Sequence, residues 1–379
     1  LLNISDSTSN LQSIIYSSYN KIRDMNSALA ATIGLILSII LIIKKVSPVY
    51  SLILGALTGG LLAGWGLENT VTEMISGIKD ITPAIIRILA AGVLTGMLVK
   101  TGAASSISQA IIKKLGAKQI YLALALSAML LTAIGVFIDV AVITIAPIAL
   151  IAGSQLRLSR AKLLIAMIGG GKCGNIISPN PNSIIAAENF NAPLPSVMAA
   201  NIIPAIIGLL FTIYIIVPLL PKGTILQPTE QIEDNMRLPS LRSSVIAPIV
   251  TIVLLTLRPL FGIIIDPLVA LSAGGIIGIV ATRNWHKTND CLSYGLGKMS
   301  TIAILLIGTG ALAGVIKAST IKDILINLLA GWSNGGTIMA PLSGTLMCAA
   351  TASTTAGATI ASASFAQSIL GAGVAAVWG

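Results

Sequence analysis

Apolar stretches of about twenty residues recur along most of this chain, and a helix needs about that length to span a bilayer. Only 9% of the residues are charged, against roughly a quarter in a soluble domain, and 55% are hydrophobic. The clearest stretches cover residues 27–43, 49–67, 81–99, 195–220, 244–257, 263–281 and 301–316. One water-soluble core cannot bury this much apolar surface. The sequence therefore predicts an all-α polytopic membrane protein and excludes soluble enzymes and nucleic-acid-binding proteins.

The reactive side chains support no enzyme chemistry. A single histidine, His286, removes most metal sites and most Ser-His or Cys-His catalysis. The cysteines Cys173, Cys291 and Cys348 lie far apart, which argues against a disulfide framework and a zinc site. We expect no enzyme, no cofactor and no metal. The expected partners are the lipid bilayer and a small organic anion, with no nucleic acid.

The basic residues predict an orientation in the membrane. The net charge is +10, and most of the 23 Lys and Arg residues fall in loops that can share one side. The positive-inside rule makes that side cytoplasmic and places the N-terminus outside. This arrangement requires residues 118–153 to leave and re-enter on the same side. They are therefore predicted to form a re-entrant hairpin.

The chain also resembles itself at one spacing. AGVLTGMLVKTG at 91–102 is echoed by GTGALAGVIKAS at 308–319, an offset of 217 residues. SPVYSLILGALTGG at 47–60 is echoed by DPLVALSAGGIIGI at 266–279. Five crossings plus a hairpin that does not cross would invert the second unit relative to the first. Such inverted repeats are typical of secondary transporters, which bind substrate near the bilayer midplane.

This repeat predicts the organisation of the chain. The parts are a polar N-terminal extension (1–24), a first inverted repeat (25–221), a cytoplasmic linker (222–242) and a second inverted repeat (243–379). The first repeat holds the hairpin 118–153 and a helix break at 172–184, and the second holds the hairpin 335–371. The second repeat should extend to about residue 437, so we expect it to be C-terminally incomplete.

An acidic residue, Asp139, lies deep in the apolar run GVFIDVAV, at the expected tip of the first hairpin. A charge at that depth costs at least about 2.5–3.5 kcal/mol. Asp139 is therefore a candidate proton or cation carrier, or a partner of Lys172. The alternative is a structural aspartate that caps the following half-helix.

The segment GGGKCGNIISPNPNS at 169–183 is the predicted helix break. Its glycines allow a helix or a ligand to approach closely, and its prolines interrupt the helix. Half-helix ends beside such a break suit an anion, and Lys172 adds a full positive charge. The candidate substrate-binding residues are Lys172, Gly174, Asn175, Ser178, Asn180, Asn182 and Ser183. The alternative is an ordinary external loop.

A third polar segment, CAATASTTAGATIASAS at 348–364, covers the expected tip of the second hairpin. Its candidate substrate-binding residues are Thr351, Ser353, Thr354 and Thr355. The alternative is tight helix packing through small side chains. Elsewhere, Arg87 is expected to be snorkelling or structural, and Lys100 and Lys317 are expected to be interfacial anchors.

These segments resemble the gluconate permease (gluconate:proton symporter) family of the ion transporter superfamily. The resemblance rests on AGVLTGMLVKTGAASSISQAIIKKLGAKQ, IGVFIDVAVITIAPIAL and GGGKCGNIISPNPNSI, and extends from about Met25 onward. It implies a homodimer in the bacterial plasma (inner) membrane. Each subunit would have a scaffold domain and an elevator-like transport domain that moves sugar acids with protons. Neither hairpin tip carries the Ser-Asn-Thr motif of the superfamily's sodium-coupled carriers, so a proton gradient is favoured over sodium.

The sequence thus predicts proton-coupled symport of a small organic anion, such as gluconate or a related sugar or hydroxy acid. The hairpin tips and the broken helix would enclose the carboxylate, with Lys172 as counter-ion and Asp139 as the titrating group. A cation/proton antiporter of the same superfamily is one alternative. A passive channel or facilitator, in which the Gly and Thr clusters merely line a pore, is another.

Overall fold

The computed structural model describes residues 26–221, 223–225, 238–320, 335–351 and 354–377. The N-terminal extension 1–24, most of the linker 222–242 and Ser353 lie outside these residues. The side chain of Thr351 also lies outside the described part of the chain. The described residues form helices joined by short turns.

The helices are labelled in chain order. The first nine are α1 (Asn26–Ile43), α2 (Pro48–Leu62), α3 (Gly66–Lys100), α4 (Ala103–Leu115), α5 (Ile120–Ala133), α6 (Ile138–Gln155), α7 (Arg160–Ile176), α8 (Pro181–Asn189) and α9 (Leu194–Leu219). After the linker follow α10 (Ile246–Phe261), α11 (Pro267–Ala281), α12 (Thr288–Ala318), α13 (Gly335–Thr351) and α14 (Thr354–Gly371). A single helical turn, Leu241–Ser244, precedes α10.

Within the described residues, five helices are long and apolar enough to cross a bilayer: α1, α3, α6, α9, and α12 with the turn before it. The short break between α4 and α5 bends the chain by 107°. α5 has 14 residues, so it is about 21 Å long, shorter than the hydrocarbon core of about 30 Å. The predicted all-α polytopic membrane class is confirmed. The re-entrance of the hairpins and the division into scaffold and transport domains stay predictions.

Local sequence explains where several helices begin. Proline occupies the first position of α2, α8 and α11, where its missing N–H would have no partner within the helix. Asp266 caps α11, because its Oδ1 accepts a hydrogen bond of 2.8 Å from the backbone N–H of Leu268. The turn between α5 and α6 contains Gly135 at φ +100°, a conformation that residues with side chains rarely adopt.

The order of the helices repeats along the chain. α1, α2 and α3 precede a hairpin formed by α5 and α6, and α10, α11 and α12 precede α13 and α14. Matching helices have similar lengths, with 15 residues in both α2 and α11 and 18 in both α6 and α14. α7, α8 and α9 have no counterpart among the described residues. This order agrees with the sequence echoes, while the domain boundaries drawn from them stay a prediction.

The described chain divides into two compact units that do not coincide with the two predicted repeats. Unit 1 contains residues up to 83 and residues 304–377, whereas unit 2 contains residues 84–303. Unit 1 therefore holds α1, α2, α13 and α14, unit 2 holds α4 to α11, and α3 and α12 contribute one part to each. Under the predicted repeat, α1, α2 and the second hairpin correspond to α10, α11 and the first hairpin. The first group lies in unit 1 and the second group lies in unit 2.

The core of unit 1 shows how this mixing of repeats is stabilised. Leu52 of α2 and Met74 of α3 pack in one cluster with Leu312 and Val315 of α12 and Ile360 of α14. These side chains come from both predicted repeats, and all of them are buried. A second cluster, within unit 2, joins α5 and α7 to α9. Each hairpin is thus packed into a unit that also contains helices of the other repeat.

Glycine pairs bring α3 and α12 into backbone contact in both units. In unit 1, a Cβ atom added to Gly77 would lie 2.1 Å from the carbonyl oxygen of Gly310. In unit 2, a Cβ added to Gly295 would lie 2.0 Å from the carbonyl oxygen of Gly92. Gly295 and Gly310 follow Gly77 and Gly92 by 218 residues. The two contacts are therefore equivalent under the repeat.

The direction of the two long helices follows from a neighbouring contact in unit 2. A Cβ on Gly96 would lie 1.9 Å from the carbonyl oxygen of Cys291, one turn beyond the contact of Gly92 with Gly295. From Gly92 to Gly96 the residue number on α3 rises by four, while that of the contacting residue on α12 falls by four, from Gly295 to Cys291. These parts of α3 and α12 therefore run antiparallel. Equivalent helices must run antiparallel in an inverted repeat.

We expect Gly96→Ala to destabilise the protein by about 1–3 kcal/mol, because the new methyl group would overlap the backbone of Cys291. The matched control is Gly297→Ala on α12, where a Cβ meets no atom within 4 Å. That substitution should be neutral or slightly stabilising, because alanine favours helix. Thermal melting of the purified protein in detergent measures both. Equal melting temperatures for the two variants would contradict the packing described here.

Candidate functional site

The chain breaks between α7 and α8, inside the segment where a break is predicted. α7 ends at Ile176, and α8 begins at Pro181. Asn180 caps α8, because its Oδ1 accepts hydrogen bonds from the backbone N–H groups of Asn182 at 2.7 Å and Ser183 at 3.3 Å. The break therefore has a side-chain cap built from the SPNPN sequence.

Four of the predicted substrate-binding side chains lie together at this break. The Asn180 amide nitrogen donates to Asn175 Oδ1 at 2.8 Å, to Ser178 Oγ at 2.5 Å and to the carbonyl of Asn175. The carbonyl of Asn175 also accepts from Ser178 Oγ at 3.0 Å and from Ser183 Oγ at 3.4 Å. All four residues are buried. In this arrangement the cluster satisfies its own polar groups and holds the break in shape.

Two further predicted residues at the break have different surroundings. Asn182 Oδ1 is buried and has no hydrogen-bond partner among the described residues. Lys172 is exposed on α7, one turn before Asn175. The break thus offers a buried amide acceptor and a nearby positive charge beside a cluster that is internally bonded.

The glycines of this segment serve helix packing. A Cβ on Gly170 would lie 2.0 Å from the carbonyl oxygen of Ala125, and one on Gly174 would lie 2.0 Å from that of Met129. The Oγ1 hydroxyl of Thr132 on α5 also donates a hydrogen bond of 2.8 Å to the carbonyl oxygen of Gly171. The structure therefore places Gly174 against α5, within the hairpin's packing surface.

Asp139 occupies the first turn of α6, directly after the hairpin turn. The N-cap of α6 is Phe137, so Asp139 does not cap this helix. Its Oδ2 lies 3.6 Å from Lys298 Nζ of α12, and its side chain is 59% exposed. A carboxylate near a helix N-terminus is favoured by the helix dipole. The ion pair with Lys298 was not expected from the sequence, because the two residues are far apart along the chain.

The second hairpin tip lies in unit 1, whereas the helix break and Asp139 lie in unit 2. Thr354 and Thr355 begin α14, and the carbonyl of Thr354 accepts a hydrogen bond of 3.7 Å from Cys348 Sγ. A Cβ on Gly357 would lie 2.4 Å from the backbone of Cys348. Close packing of α13 against α14 is therefore one role of the small residues at this tip.

A charged cluster in unit 2 was missed by the sequence reasoning. Arg87 of α3 forms ion pairs with Glu188 of α8 and with Asp266, whose Oδ2 lies 2.8 Å from the Arg87 Nη2 atom. The three residues line a cavity of about 310 Å³ together with Asn191 and several Pro and Ile residues. Arg87 was expected to be snorkelling or structural, and these contacts give it a structural role. No local sequence signal indicates this cluster, since its members come from three distant segments.

The cluster changes the acidity of Asp266, which lies in the connecting segment before α11. Partial burial alone would raise the pKa of this carboxyl. The hydrogen bonds that it accepts from Arg87 and from the backbone N–H of Leu268 outweigh burial and hold the pKa below its usual value. The ionised form of Asp266 is therefore part of the folded state.

The described residues contain no group of three or more His, Cys, Asp or Glu side chains that could hold a metal ion. Apolar helices long enough to span a bilayer, together with a capped helix break and a hairpin, are the features of a membrane transporter. The chain belongs to the GntP family of permeases, whose family description matches residues 27–376. The resemblance to gluconate permeases noted in the sequence is thereby confirmed.

Several relatives extend this result. An uncharacterized transporter of Haemophilus influenzae is 51% identical over 354 residues, which cover 93% of this chain and 84% of that protein. The Gnt-II system L-idonate transporter of Escherichia coli is 24% identical, over 84% of this chain and 76% of its own length. A high-affinity gluconate transporter of Escherichia coli is 25% identical, over 59% of this chain and 51% of its own length.

A solved structure supports the fold. The YdaH transporter of Alcanivorax borkumensis, which has an unusual topology, matches with a TM-score of 0.57 at 14% sequence identity. The match covers 82% of this chain and 75% of that one. At this identity the likeness concerns the fold alone, and it agrees with an all-α membrane transporter.

We expect Asn180→Ala to destabilise the protein by about 0.5–2 kcal/mol, because it removes the cap of α8 and several hydrogen bonds of the cluster. Asn180→Asp keeps the cap acceptor but places a buried carboxylate oxygen against two acceptor oxygens of Asn175, so it should destabilise at least as much as alanine. The control is Ser240→Ala, which removes an exposed cap from a single helical turn. The melting temperature of each variant is measured in detergent. Equal melting temperatures for all three variants would contradict this role of Asn180.

We expect Arg87→Gln to lower stability at neutral pH by on the order of 1 kcal/mol, since Asp266 is 41% exposed and solvent screens the pair. Asp266 has a lower pKa when folded, so its contribution is present above its unfolded pKa and is lost as the pH falls through the folded value. The difference between wild type and variant should therefore shrink below about pH 4. Melting curves across pH test this, and a pH-independent difference would contradict it.

Proposed function

We propose that this protein is a secondary active transporter that carries a small organic anion together with protons. Membership in the GntP permease family is the observation that carries this proposal. Matched relatives are described as gluconate and L-idonate transporters, so the proposed substrate is gluconate or a related sugar or hydroxy acid. Other relatives are D-serine transporters, which makes small hydroxylated amino acids the second substrate class to test.

The proposed site has two parts within unit 2. The buried polar cluster at the break, formed by Asn175, Ser178, Asn180 and Ser183, keeps backbone polar groups satisfied in an apolar segment. Asn182 Oδ1 is buried without a partner among the described residues and can accept a substrate hydroxyl. Lys172 would supply positive charge for the carboxylate. Asp139 would carry the proton.

The remaining parts of the proposal follow from the family and the hairpins. Thr351, Ser353, Thr354 and Thr355 of the second hairpin are also proposed to bind substrate. Gly174 would let α7 approach both the hairpin and the substrate. Transport would proceed by an elevator-type movement in a homodimer of the bacterial inner membrane, with an external N-terminus and with protons favoured over sodium.

A transport screen tests this function. Protein reconstituted in liposomes is presented with radiolabelled gluconate, L-idonate, lactate and D-serine, under an imposed proton gradient, an imposed sodium gradient or neither. We expect uphill gluconate or L-idonate uptake that requires an inward proton gradient and shows counterflow. Uptake that never saturates and shows no counterflow would indicate a channel. Cation efflux driven by protons, without anion uptake, would indicate an antiporter.

We expect Asp139→Asn to abolish proton-driven accumulation while sparing exchange of labelled for unlabelled substrate. The amide cannot release a proton, so it keeps the carrier in the form that binds substrate but breaks the link to the proton gradient. Accumulation and exchange are measured in the same liposome preparation. Wild-type accumulation in this variant would remove Asp139 from the mechanism.

A further inference from the structure

The two units carry different charges at positions that the repeat makes equivalent. In unit 1, Lys317 Nζ of α12 lies 2.7 Å from Asp80 Oδ2 of α3, so a cation and an anion neutralise each other. At the offset of 218 residues that relates the glycine contacts, Asp80 corresponds to Lys298 in unit 2, and Lys317 corresponds to Val99, the residue directly before Lys100. The acidic residue of this pair is thus replaced by a second lysine in unit 2.

The two lysines of unit 2 flank one aromatic ring. Lys100 Nζ lies 4.9 Å from the centre of the Tyr294 ring, and Lys298 Nζ lies 5.9 Å from it. Such cation–π contacts hold a lysine in place without neutralising its charge. Asp139 contacts Lys298 at 3.6 Å. We name Asp139, Lys298, Tyr294 and Lys100 the lysine cluster.

The lysine cluster has an excess of positive charge and is accessible. It contains two ammonium groups and one carboxylate, which leaves a net charge of one positive unit. The Lys298 side chain is 38% exposed and that of Asp139 is 59% exposed. Their separation of 3.6 Å is long for a charge-assisted hydrogen bond, so the pair can open at little cost. A small carboxylate anion could therefore reach Lys298 and replace Asp139 there.

Few other charges can interfere with Asp139. α5, which forms the other arm of the hairpin, contains no charged residue. α7 packs against α6 where Gly171 meets Ile138, and it carries Lys172 next to that contact. Lys298 comes from α12, and Lys100 from the end of α3. Of the charged residues on these helices, Lys298 contacts Asp139, and α12 also carries Asp290 in its first turn, two turns before Lys298.

We propose that Lys298 is a substrate-binding residue whose ion pair with Asp139 couples anion binding to proton binding. The carboxylate of the transported anion binds Lys298 in place of Asp139. Asp139 loses its counter-ion and takes one proton from the solution on that side. Release of the anion on the other side returns Lys298 to Asp139, and the proton leaves. One anion and one proton move together, no covalent bond other than that to the proton changes, and the inference rests on the proposed function above.

Opposite effects of two substitutions distinguish this exchange from a merely structural ion pair. In proteoliposomes with radiolabelled gluconate as the probe, Lys298→Gln should raise the KM of gluconate exchange about tenfold or more, since it removes a charged partner of the carboxylate. Asp139→Asn should lower the KM, or leave it unchanged, and make it independent of pH, because Lys298 is then always open to the anion. Each KM is measured between pH 5.5 and 8.

Two further variants serve as controls. Lys298→Arg retains the positive charge and should keep the KM within about threefold of the wild type. Lys317→Gln removes a lysine from an exposed ion pair of unit 1, outside the lysine cluster, and should leave both exchange and accumulation unchanged. Elution of every variant at the wild-type volume from size-exclusion chromatography in detergent shows that it is folded.

The outcomes separate the two proposals. If Lys298→Gln and Asp139→Asn raise the KM alike and the double variant recovers, the pair is only structural and the inference is wrong. If Lys298→Gln leaves the KM unchanged, Lys298 does not contact the anion and the inference is also wrong. Both results leave proton-driven uptake by the wild type intact. Failure of the wild type itself to take up gluconate would instead overturn the proposed function and this inference together.

Discussion

Every backbone N–H and C=O group in an apolar environment needs a partner, and this requirement shapes the whole chain. Helices meet it internally, which explains why the described residues are helical between short turns. It is hardest to meet where α7 ends and α8 begins. There the Asn180 side chain caps α8 with its oxygen and bonds to Asn175 and Ser178 with its nitrogen. The polar residues that mark the candidate site are therefore the residues that make the break possible.

Close backbone contact at glycines is the second organising feature. Gly77 in unit 1 and Gly295 in unit 2 are repeat equivalents, and each sits against the backbone of the opposite long helix. Between apolar helices there is little hydrophobic driving force in lipid, so small residues that allow close approach provide the packing energy. The two long helices thereby connect the repeats, and each compact unit is assembled from parts of both.

The same repeat explains how function can differ between the units. In unit 1, Lys317 pairs with Asp80, whereas in unit 2 the equivalent of Asp80 is Lys298, which shares the Tyr294 ring with Lys100. Equivalent scaffolds thus hold a neutral pair in one unit and an excess of positive charge near Asp139 in the other. In the proposed carrier, the lysines of unit 2 are therefore available to a carboxylate, whereas Lys317 is already paired with Asp80.

The sequence by itself determined the all-α membrane class, the family, the break within 172–184 and the repeat of helix order. These follow from the length of apolar runs, from proline and glycine placement and from local motifs, which act over a few residues. Only the tertiary structure decided that Asp139 meets Lys298, that Arg87 meets Glu188 and Asp266, and that Gly174 packs against α5. It also decided that the compact units cross the repeats. Such contacts depend on which helix faces join across hundreds of residues, and hydropathy does not encode that pairing.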